Sequence, residues 1–176
     1  SVGGRERVVY SLMKGVDRGT FEPYLLSLRG SRPAKELFLE TDIPIHSLGK
    51  RADGFDLSVI RRLRSFIVDH QIDIVHMHNP GTFIYGGIAA KLAGVKVVVN
   101  TEHGYSYSIS WEKRWIEDFL RNRINATIAV SEALRKELCS TARVRPRKVV
   151  VIRNGINAES FQNPVVDPGL RDEVKG

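Results

Sequence analysis

Apolar positions along this chain follow two patterns that alternate, and together they predict strands and helices in turn. Short apolar runs such as Val95–Asn100, bounded by glycine or polar residues, are typical of buried strands. Stretches with apolar residues three and four apart, as between 57 and 67, are typical of amphipathic helices. The predicted strands are 21–28, 43–48, 72–76, 95–100, 126–130 and 149–152. The predicted helices are 4–16, 33–40, 56–70, 82–93, 111–124 and 131–139.

This alternation predicts the fold class: α/β, with a Rossmann-like doubly wound parallel sheet and helices on both faces. The segment Val95–Asn100, in which Lys96 and the terminal Asn100 are the only polar residues, predicts a central strand covered on both sides. The chain opens on a glycine loop and a helix, whereas such folds place a strand before them. We therefore expect a missing first strand and a longer parent protein, with one domain over 1–162 and a linker or frayed tail over 163–176.

Composition is that of a globular protein, since 42% of the 176 residues are hydrophobic and 27% are charged. No apolar run in the sequence approaches the length of a membrane span. The single cysteine, Cys139, excludes an internal disulfide and favours a reducing compartment. We therefore expect a cytoplasmic protein.

The formal net charge of +7 raises the question of an anionic partner. Basic residues cluster at Arg61–Arg64, Arg114–Arg123 and Arg143–Lys148. Solvated helix faces explain such clusters, and attraction to phosphate-bearing substrates or to an anionic membrane surface is the functional alternative. No recognition helix or basic motif with interleaved aromatics is present in the sequence, so we expect no nucleic-acid partner.

Glycines, histidines and asparagines recur where the predicted strands end or the next helix begins. The segments are Ser1–Val8, Asp73–Asn79, Asn100–Gly104, Ala129–Glu132 and Val151–Ile156. In an open parallel α/β sheet, ligands bind outside the carboxyl ends of the strands. The five segments therefore predict a single binding face.

In order and spacing, these segments resemble the N-terminal domain of a family 4 glycosyltransferase with the GT-B architecture. The matching motifs are G-G-x-E-R-V at Gly3–Val8, D-I-V-H-x-H at Asp73–His78, T-x-H-G at Thr101–Gly104, A-V-S-E at Ala129–Glu132 and V-I-x-N-G-I at Val151–Ile156. The resemblance covers residues 2–161, nearly the whole chain.

The resemblance implies an enzyme that moves a sugar from a UDP-, GDP- or ADP-sugar donor to an acceptor hydroxyl, with retention of configuration. It implies no prosthetic group and no essential metal. The N-terminal domain would hold a glycan or lipid-linked acceptor and line one side of the donor cleft. The donor-binding C-terminal domain of the family, with its E-x7-E pair, is absent from this sequence. We therefore expect the chain to be inactive alone.

His103 is the predicted catalytic residue, because it follows the central strand and matches the family histidine near the reacting sugar. Its imidazole could bond a sugar hydroxyl or stabilise charge on the leaving phosphate. Gly3 and Gly4 are the predicted donor-binding residues. They allow close backbone approach, and the following helix N-terminus attracts phosphate.

The predicted acceptor-binding residues are His78, Asn79, Tyr105 and Glu6. Tyr105 would stack on a sugar or lipid. His76 and His78 point to one face of a strand, so with His103 they could form a zinc site. No cysteine or carboxylate completes a metal-binding signature there, so we predict a packed His76 and no metal.

Two other functions fit the same fold. A dinucleotide-dependent oxidoreductase would carry G-x-G-x-x-G, whereas the loop here reads G-G-x-E at Gly3–Glu6. A non-catalytic binding or scaffold domain would keep the fold without the chemistry. An intact E-x7-E in a second α/β domain would favour the enzyme over the scaffold.

Overall fold

The computed structural model describes residues 3–30, 38–51, 54–78, 80–104 and 111–155. Two parallel sheets run through them, one with the strand order β1-β2 and one with the order β3-β4-β5-β6. The strands are β1 Leu25–Ser27, β2 Ile45–Ser47, β3 Ile74–His78, β4 Val97–Glu102, β5 Ala126–Ala129 and β6 Val149–Val151. The helices are α1 Gly4–Gly15, α2 Leu57–Asp69, α3 Pro80–Ala93, α4 Trp111–Arg121 and α5 Glu132–Ser140, with 3₁₀ turns at Leu39–Thr41 and Pro146–Lys148.

The predicted fold class is confirmed: parallel strands alternate with helices that cover both faces. β4 pairs with β3 on one side and with β5 on the other, which is the predicted central position. Of the helix predicted at 33–40, only residues 38–40 lie in the described part, where a 3₁₀ turn begins at Leu39, and the predicted tail 163–176 lies outside it.

The predicted strand ends were wrong at β3 and β4 by about two residues, and hydrogen bonds at the helix ends explain why. The Ile72 N–H donates to Ile67 O of α2, and the Val95 N–H donates to Ala90 O of α3. Both residues therefore close the preceding helix and cannot start the sheet. The strands begin and end later, so β3 reaches His78 and β4 reaches Glu102.

The strand predicted at 21–28 is also shorter than expected, since only Leu25–Ser27 pairs with β2. Pro23 lacks the N–H that a ladder requires, which disfavours pairing at the start of this segment. Helix ends follow the sequence more closely. Asp56 and Ser131 accept capping bonds from Ser58 N at 3.0 Å and from Leu134 N at 3.1 Å.

A core of α2, α3 and α4 side chains packs under the strands, with Val59, Phe83 and Leu120 buried. The small residues of α3 let this helix pack closely on the sheet. A Cβ on Gly86 would lie 2.6 Å from Met77 Sδ of β3, closer than a methyl group tolerates. A second buried cluster lies under β5 and β6 and includes Leu134 and Leu138 of α5.

This packing places the ends of β3 and β4 side by side, in the register His76 to Val99 and His78 to Thr101. Because side chains alternate along a strand, the two faces of this end differ. Met77, Asn100 and Glu102 point toward the helix layer and are buried. The opposite face carries His76, His78, Thr101 and His103.

Candidate functional site

Four polar side chains form a row at the ends of β3 and β4, which we call the histidine row: His76, His78, Thr101 and His103. His76 Nε2 lies 2.8 Å from Thr101 Oγ1, a hydrogen bond between the two strands. The rings of His76 and His78 are 4.4 Å apart between centroids. His76 thus packs against its neighbour, although part of its surface remains exposed.

His78 and His103, the predicted acceptor-binding and catalytic residues, lie within hydrogen-bonding distance of each other. His78 Nδ1 and His103 Nε2 are 3.1 Å apart, and the two rings stack with centroids 5.5 Å apart and a tilt of 26°. Only one of the two nitrogens can carry the shared proton, so the tautomer of one ring fixes that of the other. The structure therefore joins two residues that the sequence placed 25 positions apart.

Burial favours the neutral forms of His76 and His78 at neutral pH. Burial, and secondarily the neighbouring His76 and His103, lowers the pKa of His78 from its ordinary value of 6.5 to about 3. Burial and His103 also lower the pKa of His76. A neutral imidazole offers one N–H donor and one acceptor nitrogen. The row can therefore bind hydroxyl groups at neutral pH without adding positive charge through His76 or His78.

Gly3, Gly4 and Glu6, which the sequence assigned to donor and acceptor binding, lie together at the N-terminus of α1. Gly3 is the N-cap and has extended backbone, and both glycines are exposed. A Cβ on Gly3 would lie 2.7 Å from Glu6 Oε2, so the Glu6 carboxylate folds back over the first turn. There it interacts favourably with the helix dipole. A phosphate at this terminus would require the Glu6 side chain to turn away.

Two predicted acceptor-binding residues, Asn79 and Tyr105, lie outside the described residues. Their assignment therefore stays a prediction. Within the described ranges, no three His, Cys, Asp or Glu side chains are arranged to hold a metal ion. Among the helices described, none is both long and apolar enough to span a bilayer.

Sequence reasoning missed a charged network on the opposite face of β4. Arg121 of α4 is 2% exposed, and its Nη2 donates to Glu102 Oε1 at 2.8 Å and to Glu117 Oε2 at 2.9 Å. Asn100 Nδ2 also donates to Glu102 Oε1, at 3.0 Å. The interpretation of Arg114–Arg123 as a solvated face is therefore wrong for Arg121. The available signal was Glu102, an acid two residues beyond the predicted central strand, since a buried acid needs a cation.

Comparison with known proteins tests the predicted family. The family model for Glycosyltransferase Family 4 matches residues 2–160. The chain belongs to Glycosyltransferase Family 4. The five resembling segments 3–8, 73–78, 101–104, 129–132 and 151–156 therefore lie within the part of the chain that the family model matches.

Two curated relatives have described activities. The chain is 32% identical over 134 residues to the UDP-Gal:alpha-D-GlcNAc-diphosphoundecaprenol alpha-1,3-galactosyltransferase of Escherichia coli, a match that covers 69% of this chain and 34% of that protein. It is 28% identical over 117 residues to the sulfoquinovosyl transferase SQD2 of Arabidopsis thaliana, covering 61% of this chain and 23% of that protein. This Family 4 chain therefore spans about a third or less of these relatives.

Solved structures show the same fold. The Anabaena protein Alr3699/HepE, in complex with UDP and glucose, superposes with a TM-score of 0.79 at 19% identity, covering 98% of this chain and 47% of that one. The lipopolysaccharide outer core galactosyltransferase WaaB in its apo form superposes with a TM-score of 0.67 at 14% identity, covering 88% of this chain and 43% of that one. The Family 4 chain thus corresponds to about half of each of these structures.

Proposed function

We propose that the whole protein is a glycosyltransferase that uses a nucleotide-sugar donor, and that residues 1–162 form its acceptor-side, N-terminal domain. The observation that carries this proposal is the histidine row, with His78 and His103 in hydrogen-bonding distance at the ends of adjacent strands. Ligands of parallel α/β sheets bind at this edge. A donor-binding C-terminal domain would supply the other side of the cleft.

The donor we propose first is a UDP-sugar. The Escherichia coli relative is named for UDP-Gal, and the Anabaena structures hold UDP, UDP with glucose, or UDP-glucose. GDP- and ADP-sugars are the alternatives. Gly3 and Gly4 would approach the donor phosphates at the start of α1 once the Glu6 side chain has moved.

His103 would act at the reacting centre, with its ring orientation set by His78. As the bond to the leaving phosphate breaks, negative charge develops on that phosphate. A fixed N–H or imidazolium there stabilises the transition state more than the ground state. His78, kept neutral by burial, would hold the His103 ring and leave its own hydrogen-bonding edge for an acceptor hydroxyl.

The test is nucleotide release by the full-length protein from a panel of UDP-, GDP- and ADP-sugars, with and without EDTA. We expect release from a UDP-sugar, unchanged by EDTA and stimulated by an acceptor. Release that EDTA abolishes would contradict the metal-independent mechanism. No release from any donor, while UDP still binds, would favour the scaffold alternative.

We also propose peripheral contact with an anionic membrane, which would bring a lipid-linked acceptor to the site. Leu92, Ile116 and Phe119 are exposed apolar side chains between α3 and α4. The Arg123 guanidinium carbon lies 3.3 Å from the Phe119 ring centroid, and Lys91 Nζ lies 5.6 Å from it. We expect salt-sensitive binding of the full-length protein to phosphatidylglycerol vesicles, and equal binding to neutral vesicles would contradict the proposal.

A further inference from the structure

The charged network behind the histidine row joins the end of α4 to the end of β4. Arg121 is the last residue of α4, and Glu102 is the last residue of β4. Each is 2% exposed, and Arg121 Nη2 and Glu102 Oε1 are 2.8 Å apart. The second terminal nitrogen of Arg121 donates to Asp118 Oδ1 at 3.3 Å. The guanidinium is therefore anchored to its own helix while it holds the strand.

Thermodynamic stability alone does not account for this arrangement. Burying an arginine with carboxylates costs several kcal/mol per ion, and apolar replacements of equal volume are often as stable. The network is also incompletely satisfied, because Glu117 Oε1, Arg121 Nε and Asn100 Oδ1 are buried without partners among the described residues. Such a network fixes geometry at some expense of stability.

The geometry that the network fixes is that of the residue following Glu102. His103 is the next residue along the chain, and the alternation of the strand sends its side chain to the opposite face. There its ring meets His78, 3.1 Å away. A shift of Glu102 along or across the strand would move the His103 backbone with it, because consecutive Cα atoms are held at a fixed separation.

We propose that Arg121 is a positioning residue: by holding Glu102 from the helix side, it sets where His103 presents its ring beside His78. The catalytic consequence rests on the proposed function of His103. The positional consequence does not, since it concerns only the contact between His103 and His78. The proposal makes Arg121 a determinant of turnover although it lies on the face of β4 away from the histidine row.

The experiment compares the full-length protein with three variants, and a fourth, His103→Ala, serves only to assign the spectrum. Arg121→Lys keeps the positive charge but lacks the planar fork that reaches Asp118 and Glu102 together. Arg121→Met removes the charge at similar volume. The matched control is Arg135→Met, because Arg135 forms an exposed pair with Glu132 on α5, with 3.8 Å between Nη1 and Oε2.

Two readouts are measured on each folded variant. The first is kcat and KM with the UDP-sugar that the donor panel selects. The second is the ring ¹⁵N spectrum of His103, assigned by the loss of its signals in His103→Ala, which reports which nitrogen carries the proton. We expect Arg121→Lys to lower kcat about tenfold with KM within about twofold, the effect of a misplaced reacting group. We expect its His103 signals to move, and Arg135→Met to change neither readout.

The proposal is overturned if Arg121→Lys unfolds at lower denaturant while kcat and the His103 signals stay at wild-type values. Arginine would then have a structural role only. If Arg121→Met does not fold, Arg121→Lys alone decides. If the parent protein shows no transfer activity, the spectrum decides the positional part: shifted His103 signals support it, and unshifted signals overturn it.

Discussion

On one face of β4, Thr101 and His103 lie beside His76 and His78 of β3; on the other, Asn100 and Glu102 lie beside Arg121 of α4. Both faces are polar, and they differ in access to solvent. His78 and His103 are only partly buried, whereas Glu102 and Arg121 are each 2% exposed. The six residues of β4 thus separate two surfaces. We call the surface with His76, His78, Thr101 and His103 the open face, and the surface with Asn100, Glu102 and Arg121 the closed face.

The two faces also differ in the partners that their titratable side chains have. On the closed face, the Arg121 guanidinium lies 2.8 Å from the Glu102 carboxylate and offsets the cost of burying it. On the open face, the imidazoles have mainly each other, and burial with neighbouring histidines lowers the pKa of His78 to about 3. We infer that the closed face serves to hold the strand end and the open face serves to bind.

The largest expected loss of stability comes from removing one partner of the buried ion pair on the closed face. Glu102→Leu removes one partner of the buried pair and leaves Arg121 with less negative charge nearby. We expect the free energy of unfolding to fall by about 3 kcal/mol, measured by urea unfolding followed by circular dichroism. The control is Glu132→Leu, which removes the exposed carboxylate that pairs with Arg135 and should cost less than about 1 kcal/mol. Equal losses in the two variants would mean that burial of the pair is irrelevant.

A smaller loss of stability is expected when the histidines of the open face bind protons. The folded-state pKa of His78 lies below its ordinary value of 6.5, so the unfolded chain binds a proton first as the pH falls. Stability should therefore be full above pH 6.5 and decline from there toward pH 3. Because the ring is only half-buried, we expect a loss of about 1 to 2 kcal/mol between about pH 6.5 and pH 4.5.

The variant His78→Gln tests the origin of that decline. Glutamine keeps hydrogen-bonding capacity and does not titrate in this range. We expect its unfolding free energy to change less between about pH 6.5 and pH 4.5 than that of the wild type, with His76 supplying what remains. Identical pH profiles for the two proteins would remove His78 as the titrating group.

A change on the open face should affect turnover more than it affects the free energy of unfolding. In the full-length protein, His103→Ala should lower turnover at least about tenfold, the scale of a lost charge-stabilising contact. Its unfolding midpoint should change little, since the side chain is only partly buried. The control is His70→Ala, which removes an exposed histidine stacked on Phe66 at the end of α2. Unchanged turnover in His103→Ala would reduce His103 to a structural residue.

The fold class and the alternation of strands and helices along the chain could be predicted from local patterns. Asp56 and Ser131 follow the N-cap preference directly, and the apolar run 95–100 indicated the central strand. The ends of β3 and β4 could not be predicted in the same way. They depend on Ile72 and Val95 bonding back to the preceding helices, which periodicity does not encode.

Residues of the histidine row could be predicted from the sequence, but the contact between His78 and His103 could not. A period of two placed His76 and His78 on one face, and the family resemblance singled out His103. The 3.1 Å approach of His78 to His103 depends on the register of two strands, which no single segment specifies. The burial of Arg121 could not be predicted, because this residue lies among other basic residues in an amphipathic helix. Which residue of such a helix becomes buried is set by tertiary packing.

The smallest expected change in unfolding free energy comes from removing a single threonine hydroxyl. Thr101 Oγ1 on the open face bonds His76 Nε2 at 2.8 Å, whereas Thr127 Oγ1 of β5 is buried without a partner in the described part of the chain. Thr101→Val should cost about 1 kcal/mol in unfolding free energy, because it removes a hydrogen bond between the two strands. Thr127→Val should be neutral or stabilising, because valine replaces an unsatisfied hydroxyl at equal volume. An equal cost for both would show that the Thr101–His76 bond adds nothing to the open face. A loss confined to Thr101→Val would show that its hydroxyl contributes to holding the histidine row.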